Sequence, residues 1–178
     1  MENTKMKIAL VIPWFAKDLK GGAEQHAWQL AARLQQKGIE IEVLSTCSKE
    51  FLSDWSINHY QPKEYIESGI LIKRFLVKKR NTQLFDQVNC HLMNLSLDDL
   101  TVGISPLDSE QEHVFLEHCI YSPDLQRYIE QNESAYDFFL FIPFVPGIWT
   151  GAFVSLAVGL FLSRKAIKNH QNNSKFKI

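Results

Sequence analysis

The chain has 178 residues, of which 46% are hydrophobic and 22% charged, which suits one domain with a sizeable core and excludes both two full domains and a chain disordered throughout. No acid follows Asp137, whereas Arg164, Lys165, Lys168, Lys175 and Lys177 do, so residues 1–137 carry 14 Lys and Arg against 20 Asp and Glu, a net −6 within a total of −1; an acidic body argues against nucleic acid as a partner and leaves the basic tail as a solvated terminus or a contact for anionic lipid or RNA. The three cysteines, Cys47, Cys90 and Cys119, are odd in number, far apart and without a C-x-x-C, which offers no zinc or redox motif and fits a reducing, cytoplasmic compartment.

The apolar run at residues 7–13 (KIALVIP) has two apolar faces, as in a central parallel strand covered by helices, and Pro13 closes it. It is short and leads straight into Trp14 and Lys17, so it reads as a first strand and not as a signal peptide. After the loop WFAKDLKGG, residues 23–37 predict a helix, with Ala23, Ala27, Leu30, Ala31 and Leu34 in one stripe and Lys37-Gly38 as its stop. Residues 39–46 (IEIEVLST) predict the next strand. Strand, glycine-bearing turn, helix and strand within about forty residues make a βαβ unit with a right-handed crossover. The expected fold class is therefore α/β: a Rossmann-like parallel sheet flanked by helices.

Residues 47–68 are irregular. A turn at Glu67-Ser68-Gly69 leads into a strand within residues 65–77. Residues 82–95 predict a helix presenting Leu84, Phe85, Val88 and Leu92 on one face; residues 96–108 read as loop and 109–120 as helix. Ser122-Pro123-Asp124 is a strong helix start, with a capping serine, proline in the first helical position and an acid near the positive end. That helix runs to about residue 131. Residues 136–142 (YDFFLFI) predict a buried strand ended by Pro143.

Residues 138–162 contain no charged side chain in 25 positions, and a basic cluster follows them. Two readings stand: a membrane span with a cytoplasmic basic edge, or a buried strand, a turn at Pro143, Pro146 and Gly147, and a core or amphipathic helix.

The most informative local feature is Lys20-Gly21-Gly22-Ala23-Glu24, between the first strand and the first helix. In open α/β sheets ligands bind outside the carboxyl ends of the strands, and a helix amino terminus offers free N–H groups and partial positive charge suited to phosphate. The alternative is a tight turn with no ligand. The pattern is neither G-x-G-x-x-G nor G-x-x-x-x-G-K-[ST], so dinucleotide and P-loop readings lack support. Trp14 is placed to stack on a sugar ring or to pack, and His26 to face the cleft or solvent. His113 and His118, five apart, do not share a helix face, so no metal site is expected. Glu110, Glu112 and Glu117 read as a solvated face. No catalytic residue is assignable from spacing.

The string MKIALVIPWF…KGGAEQHAWQLAARLQQKGIEIEVLST resembles the opening of the GT-B-fold glycosyltransferases of the large group-1 family, family 4. GILIKRFLV, with Arg74, and IYSPDLQRYIEQNESAYDFFLFIPF are similar to two later stretches of that family, so the resemblance covers roughly residues 6–146. It implies an amino-terminal Rossmann-like domain over residues 1–146 that binds the acceptor side of a reaction moving a sugar from a nucleotide-sugar to a glycan or lipid-linked acceptor hydroxyl. No cofactor or bound metal is implied beyond the nucleotide-sugar substrate. Gly21 and Gly22 would lie near the donor phosphates, with Trp14, Glu24 and His26 as further cleft contacts.

Family members are far longer and carry a second, donor-binding domain. Residues 147–178, an apolar and then basic segment, do not resemble the family's continuation. The expectation is accordingly a truncated or frame-shifted product, inactive alone. The other reading is a membrane-tethered or partner-binding remnant without chemistry, cytoplasmic or in contact with a membrane surface through the C-terminal segment.

Overall fold

The computed structural model describes residues 5–96 and 105–142. The elements are β1 (Lys7–Val11), α1 (Gly22–Gln36), β2 (Glu40–Thr46), β3 (Glu64–Glu67), β4 (Ile70–Phe75), α2 (Thr82–Met93), α3 (Ser109–His118), α4 (Pro123–Gln131) and β5 (Phe138–Phe141), with a 3-10 turn at Glu133–Ala135. The five strands form one sheet in the order β3-β4-β2-β1-β5. β4, β2, β1 and β5 are parallel, with Ala9 beside both Glu42 and Phe139. β3 runs antiparallel to β4. The fold is the expected α/β, Rossmann-like arrangement.

Period-two alternation divides the core between the two faces of the sheet. Ile8, Leu10, Ile12, Ile41, Val43, Ile70 and Ile72 face α1, whose Ala27 and Ala31 are small enough to let the helix lie close on the strands. Ala9, Val11, Leu44 and Phe139 face the other way, and Leu125, Tyr128 and Ile129 of α4 cover them. α1 ends as its sequence dictates: Gly38 takes a left-handed φ of 82° and its N–H bonds to the Gln35 carbonyl. α4 starts on Ser122, whose Oγ accepts the Leu125 N–H at 3.2 Å. α2 and α3 pack against each other through Phe85 and Phe115, whose rings stack at 5.2 Å. α3 begins with a reciprocal cap between Asp108 and Gln111.

Several expectations are corrected. The segment read as irregular ends in β3, which the expected turn at Glu67-Ser68-Gly69 joins to the expected strand, β4, as an antiparallel hairpin. Its two-residue turn places Ser68 at φ 51° and Gly69 at φ 83°, both left-handed, which matches the twist of a tight hairpin. Leu84 lies on the exposed side of α2, and only Phe85 and Val88 are buried there. β5 is an edge strand rather than a buried one, and Phe138 remains 54% exposed. All three cysteines are free thiols. Among the described residues no helix is long and apolar enough to cross a membrane. The uncharged stretch from Pro143 onward, on which the membrane reading turned, lies outside the described residues, as does the segment 147–178.

Candidate functional site

β1 has β2 on one side and β5 on the other, so the chain reverses its direction of sheet-building at β1. In open α/β sheets the region beyond the carboxyl ends of the strands at such a reversal is the usual ligand position. The loop from Ile12 to Gly21 occupies this end and delivers the chain to the amino terminus of α1.

The loop is held by the ends of its neighbours. The Pro13 carbonyl accepts from the Thr46 N–H (3.2 Å), the Thr46 Oγ1–H (2.7 Å) and the Ser45 Oγ–H (3.2 Å). The Trp14 indole donates to Ser48 Oγ at 3.2 Å. Arg74, at the end of β4 and only 4% exposed, donates to the Thr46 carbonyl (3.0 Å), the Phe15 carbonyl and the Tyr65 hydroxyl (3.0 Å). Its guanidinium lies 3.9 Å from the centre of the Tyr60 ring. No carboxylate forms an ion pair with it among the described residues; carbonyl dipoles and aromatic faces stabilise its charge instead. Phe15 stacks on Trp28 of α1 at 5.0 Å, and Gln25 donates back to the Leu19 carbonyl. Burial pushes the neighbouring Cys47 thiol upward in pKa, with the Arg74 charge acting against it.

The structure brings Gly21, Gly22 and Glu24 together and separates them from Trp14 and His26. The first bond of α1 runs from the Gln25 N–H to the Gly21 carbonyl (2.9 Å), so the N–H groups of Gly22, Ala23 and Glu24 have no acceptor within the helix. A Cβ on Gly22 would meet nothing within 4 Å, so this backbone is open to close approach. A Cβ on Gly21 would collide with the carboxylate of Glu24, which folds back over it. Gly21 has an extended backbone, φ −64° and ψ 146°, so its torsion angles do not require glycine, and a side chain there would only have to displace the flexible end of Glu24.

Trp14 is 2% exposed and packs on Trp55 (5.3 Å) and Phe51 (5.9 Å), which fits the packing alternative and leaves no ring face open to a sugar in this conformation. His26 is on the solvent face of α1. His113 lies 3.4 Å from Glu117, and His118 Nδ1 accepts from the Asn81 N–H. No group of three or more metal-binding side chains occurs among the described residues. Glu110 and Glu117 are exposed and Glu112 is half-buried.

Sequence reasoning missed Arg74 as an anchor of the loop. Alternation was the available signal, since Arg74 shares a face of β4 with buried Ile70 and Ile72. It also missed a polar cluster at the opposite, amino-terminal end of the sheet. Buried Glu42 pairs there with Lys7 and with Lys73 (3.4 Å) and accepts from the Tyr136 hydroxyl. Lys73 donates to the Tyr128 hydroxyl at 2.7 Å, and the two tyrosine oxygens are 3.0 Å apart. Burial pushes the Glu42 pKa up, but the bonds from Lys7 and Tyr136 and the charge of Lys73 outweigh it and hold Glu42 below its usual range. Burial and the bond to Glu42 raise Tyr136. This cluster ties α4 and β5 to three strands and lies away from the carboxyl ends of the strands.

Comparison of the chain with protein-family models, with curated proteins and with solved structures gives no significant match in any of the three.

Proposed function

We propose that this domain is the acceptor-side half of a GT-B-type glycosyltransferase and that the amino terminus of α1 contributes to holding the donor diphosphate. The supporting observation is the unsatisfied first turn at Gly22 and Ala23, open to close approach and set beyond the carboxyl end of β1 at the point where the sheet reverses direction. A departing nucleoside diphosphate gains negative charge, and fixed N–H groups at a helix amino terminus are suited to stabilise it. A GT-B cleft closes between two Rossmann-like domains, and the described residues form one of them, so the proposal assigns no turnover to this chain by itself. The resemblance of the Gly-Gly loop, the strand ending at Thr46 and the Tyr136 segment to the group-1 glycosyltransferases supports the same reading.

Calorimetric titration with UDP, GDP and their sugar conjugates, run beside a donor-hydrolysis assay, tests it. Weak binding of a nucleoside diphosphate without hydrolysis is expected. Absence of binding at millimolar nucleotide would remove the phosphate role of α1, and turnover would show that the chain is active without a second half.

A further inference from the structure

Residues 12–21, 47–63 and 76–81 leave the carboxyl ends of β1, β2 and β4, which are parallel, and β3, being antiparallel, starts at the same end where residues 47–63 return. Together these loops carry seven Lys and Arg against three Asp and Glu, a net +4. The rest of residues 1–137 carries seven against 17, a net −10. Charge is thus segregated along the strand direction, with the carboxyl end positive. Lys49 pairs there with Glu50 and Arg80 with Asp54, whereas exposed Lys78 and Lys79 make no ion pair among the described residues.

Large apolar side chains project from the same loops. Leu52 is 89% exposed, Ile57 59%, Phe51 41% and Leu76 40%. They stand on a fixed base. The buried Trp55 donates its indole N–H to the Phe51 carbonyl at 2.8 Å and packs on Trp14. The Asn58 side chain exchanges two hydrogen bonds with the Val77 backbone, which brings the segment holding Ile57 against the one holding Leu76 and Lys78. Apolar tips gain nothing from the phosphate backbone of a nucleic acid, and a tip as prominent as Leu52 would hold a flat protein face away from the loops around it. Apolar tips among unpaired lysines match a bilayer with anionic headgroups, which yields to the tips and attracts the bases.

We propose that this end of the domain docks on an anionic lipid surface, with Leu52 and Ile57 entering the headgroup region and Lys78 and Lys79 meeting the lipid charges. The surface lies wholly within the described residues, and the inference stands independently of the function proposed above.

The test is co-sedimentation of the full chain with vesicles of phosphatidylcholine alone and of phosphatidylcholine with about 30% phosphatidylserine, in low and high salt, beside a run without vesicles. The wild type is expected to bind the phosphatidylserine vesicles more tightly than the neutral ones and to be released by salt. Lys78→Gln/Lys79→Gln should weaken that binding about 30-fold and Leu52→Ser/Ile57→Ser about tenfold, with melting temperatures unchanged because all four side chains are exposed. Absence of vesicle binding, equal binding to both vesicles, or binding that both double variants retain overturns the assignment. Lysine-dependent binding that ignores the Leu52 and Ile57 changes indicates a soluble acidic partner, and Leu52-dependent dimerisation without vesicles indicates a second copy; either overturns it as well. Should a double variant not fold, Lys79→Gln and Leu52→Ser alone decide. Nucleotide binding, read separately by calorimetry, is untouched by any of these outcomes.

Discussion

Replacing Arg74 with methionine tests how the loop before α1 is held. Methionine fills much of the same volume but leaves the Thr46 and Phe15 carbonyls and the Tyr65 hydroxyl without their donor. Each stranded buried acceptor costs about 1–3 kcal/mol. The Tyr65 hydroxyl can turn to water, and removing the guanidinium relieves its own desolvation, so the net loss is about 3 kcal/mol. For a domain of this size that lowers Tm by about 6–12 °C. The effect should be local first, because two of the three acceptors belong to the loop and to the end of β2. Cys47 follows Thr46 directly and is fully buried, whereas Cys90 is exposed. Thiol labelling under native conditions should therefore accelerate about 100-fold at Cys47 in Arg74→Met, with Cys90 unchanged. An unchanged Tm together with an unchanged Cys47 rate would mean that Arg74 does not hold the loop. A lower Tm without faster Cys47 labelling would place the contribution of Arg74 elsewhere than in the loop.

Glu42→Gln should cost about 3 kcal/mol near neutral pH, because it leaves two partly buried lysines without their shared carboxylate; urea unfolding measures it. The folded-state pKa of Glu42 is depressed, so its contribution is present above the ordinary glutamate range and lost as pH falls through the lowered value, and wild type and variant should converge in acid. Lys7 and Lys73 are raised, Lys7 first by its bond to Glu42 and Lys73 by its bond to Tyr128 and the Glu42 charge against the opposing effect of burial. Their share is present below the ordinary lysine range and lost as pH rises through the raised values, so convergence is expected again in strong alkali. Gly38→Ala should destabilise by about 1 kcal/mol through backbone strain alone, since φ is 82° and nothing lies within 4 Å of the new Cβ. Gly22→Ala should instead be neutral or stabilising by up to about 1 kcal/mol, because the backbone there is helical and the space is open. Thermal unfolding distinguishes the two glycines.

Much of the fold was legible because its signals are local. The two-sided apolar run of β1, the small-residue stripe of α1 with its Gly38 stop, and the Ser122-Pro123 start each carry their own physical cause. What escaped depends on pairing across long separations. β3 has only four residues and becomes a strand by pairing with β4. The exposure of Phe138 follows from β5 being at the edge, which no local pattern reports. Of the candidate site, the Gly-Gly turn was visible, but the fold-back of Glu24 over Gly21 was not, since it depends on side-chain placement. Trp14 was ambiguous for the same reason. Its partners Trp55 and Phe51 lie in the segment that has no regular pattern.

On the function proposed here, the first turn of α1 receives the phosphates of a nucleotide. Amide NMR of the isotope-labelled chain during titration with UDP and GDP tests it most directly. Saturable shifts are expected, centred on the Gly22, Ala23 and Glu24 amides and abolished by Gly22→Leu in a chain that keeps its fold. Nucleotide-induced shifts confined to another part of the sheet, or none at millimolar nucleotide, would contradict it.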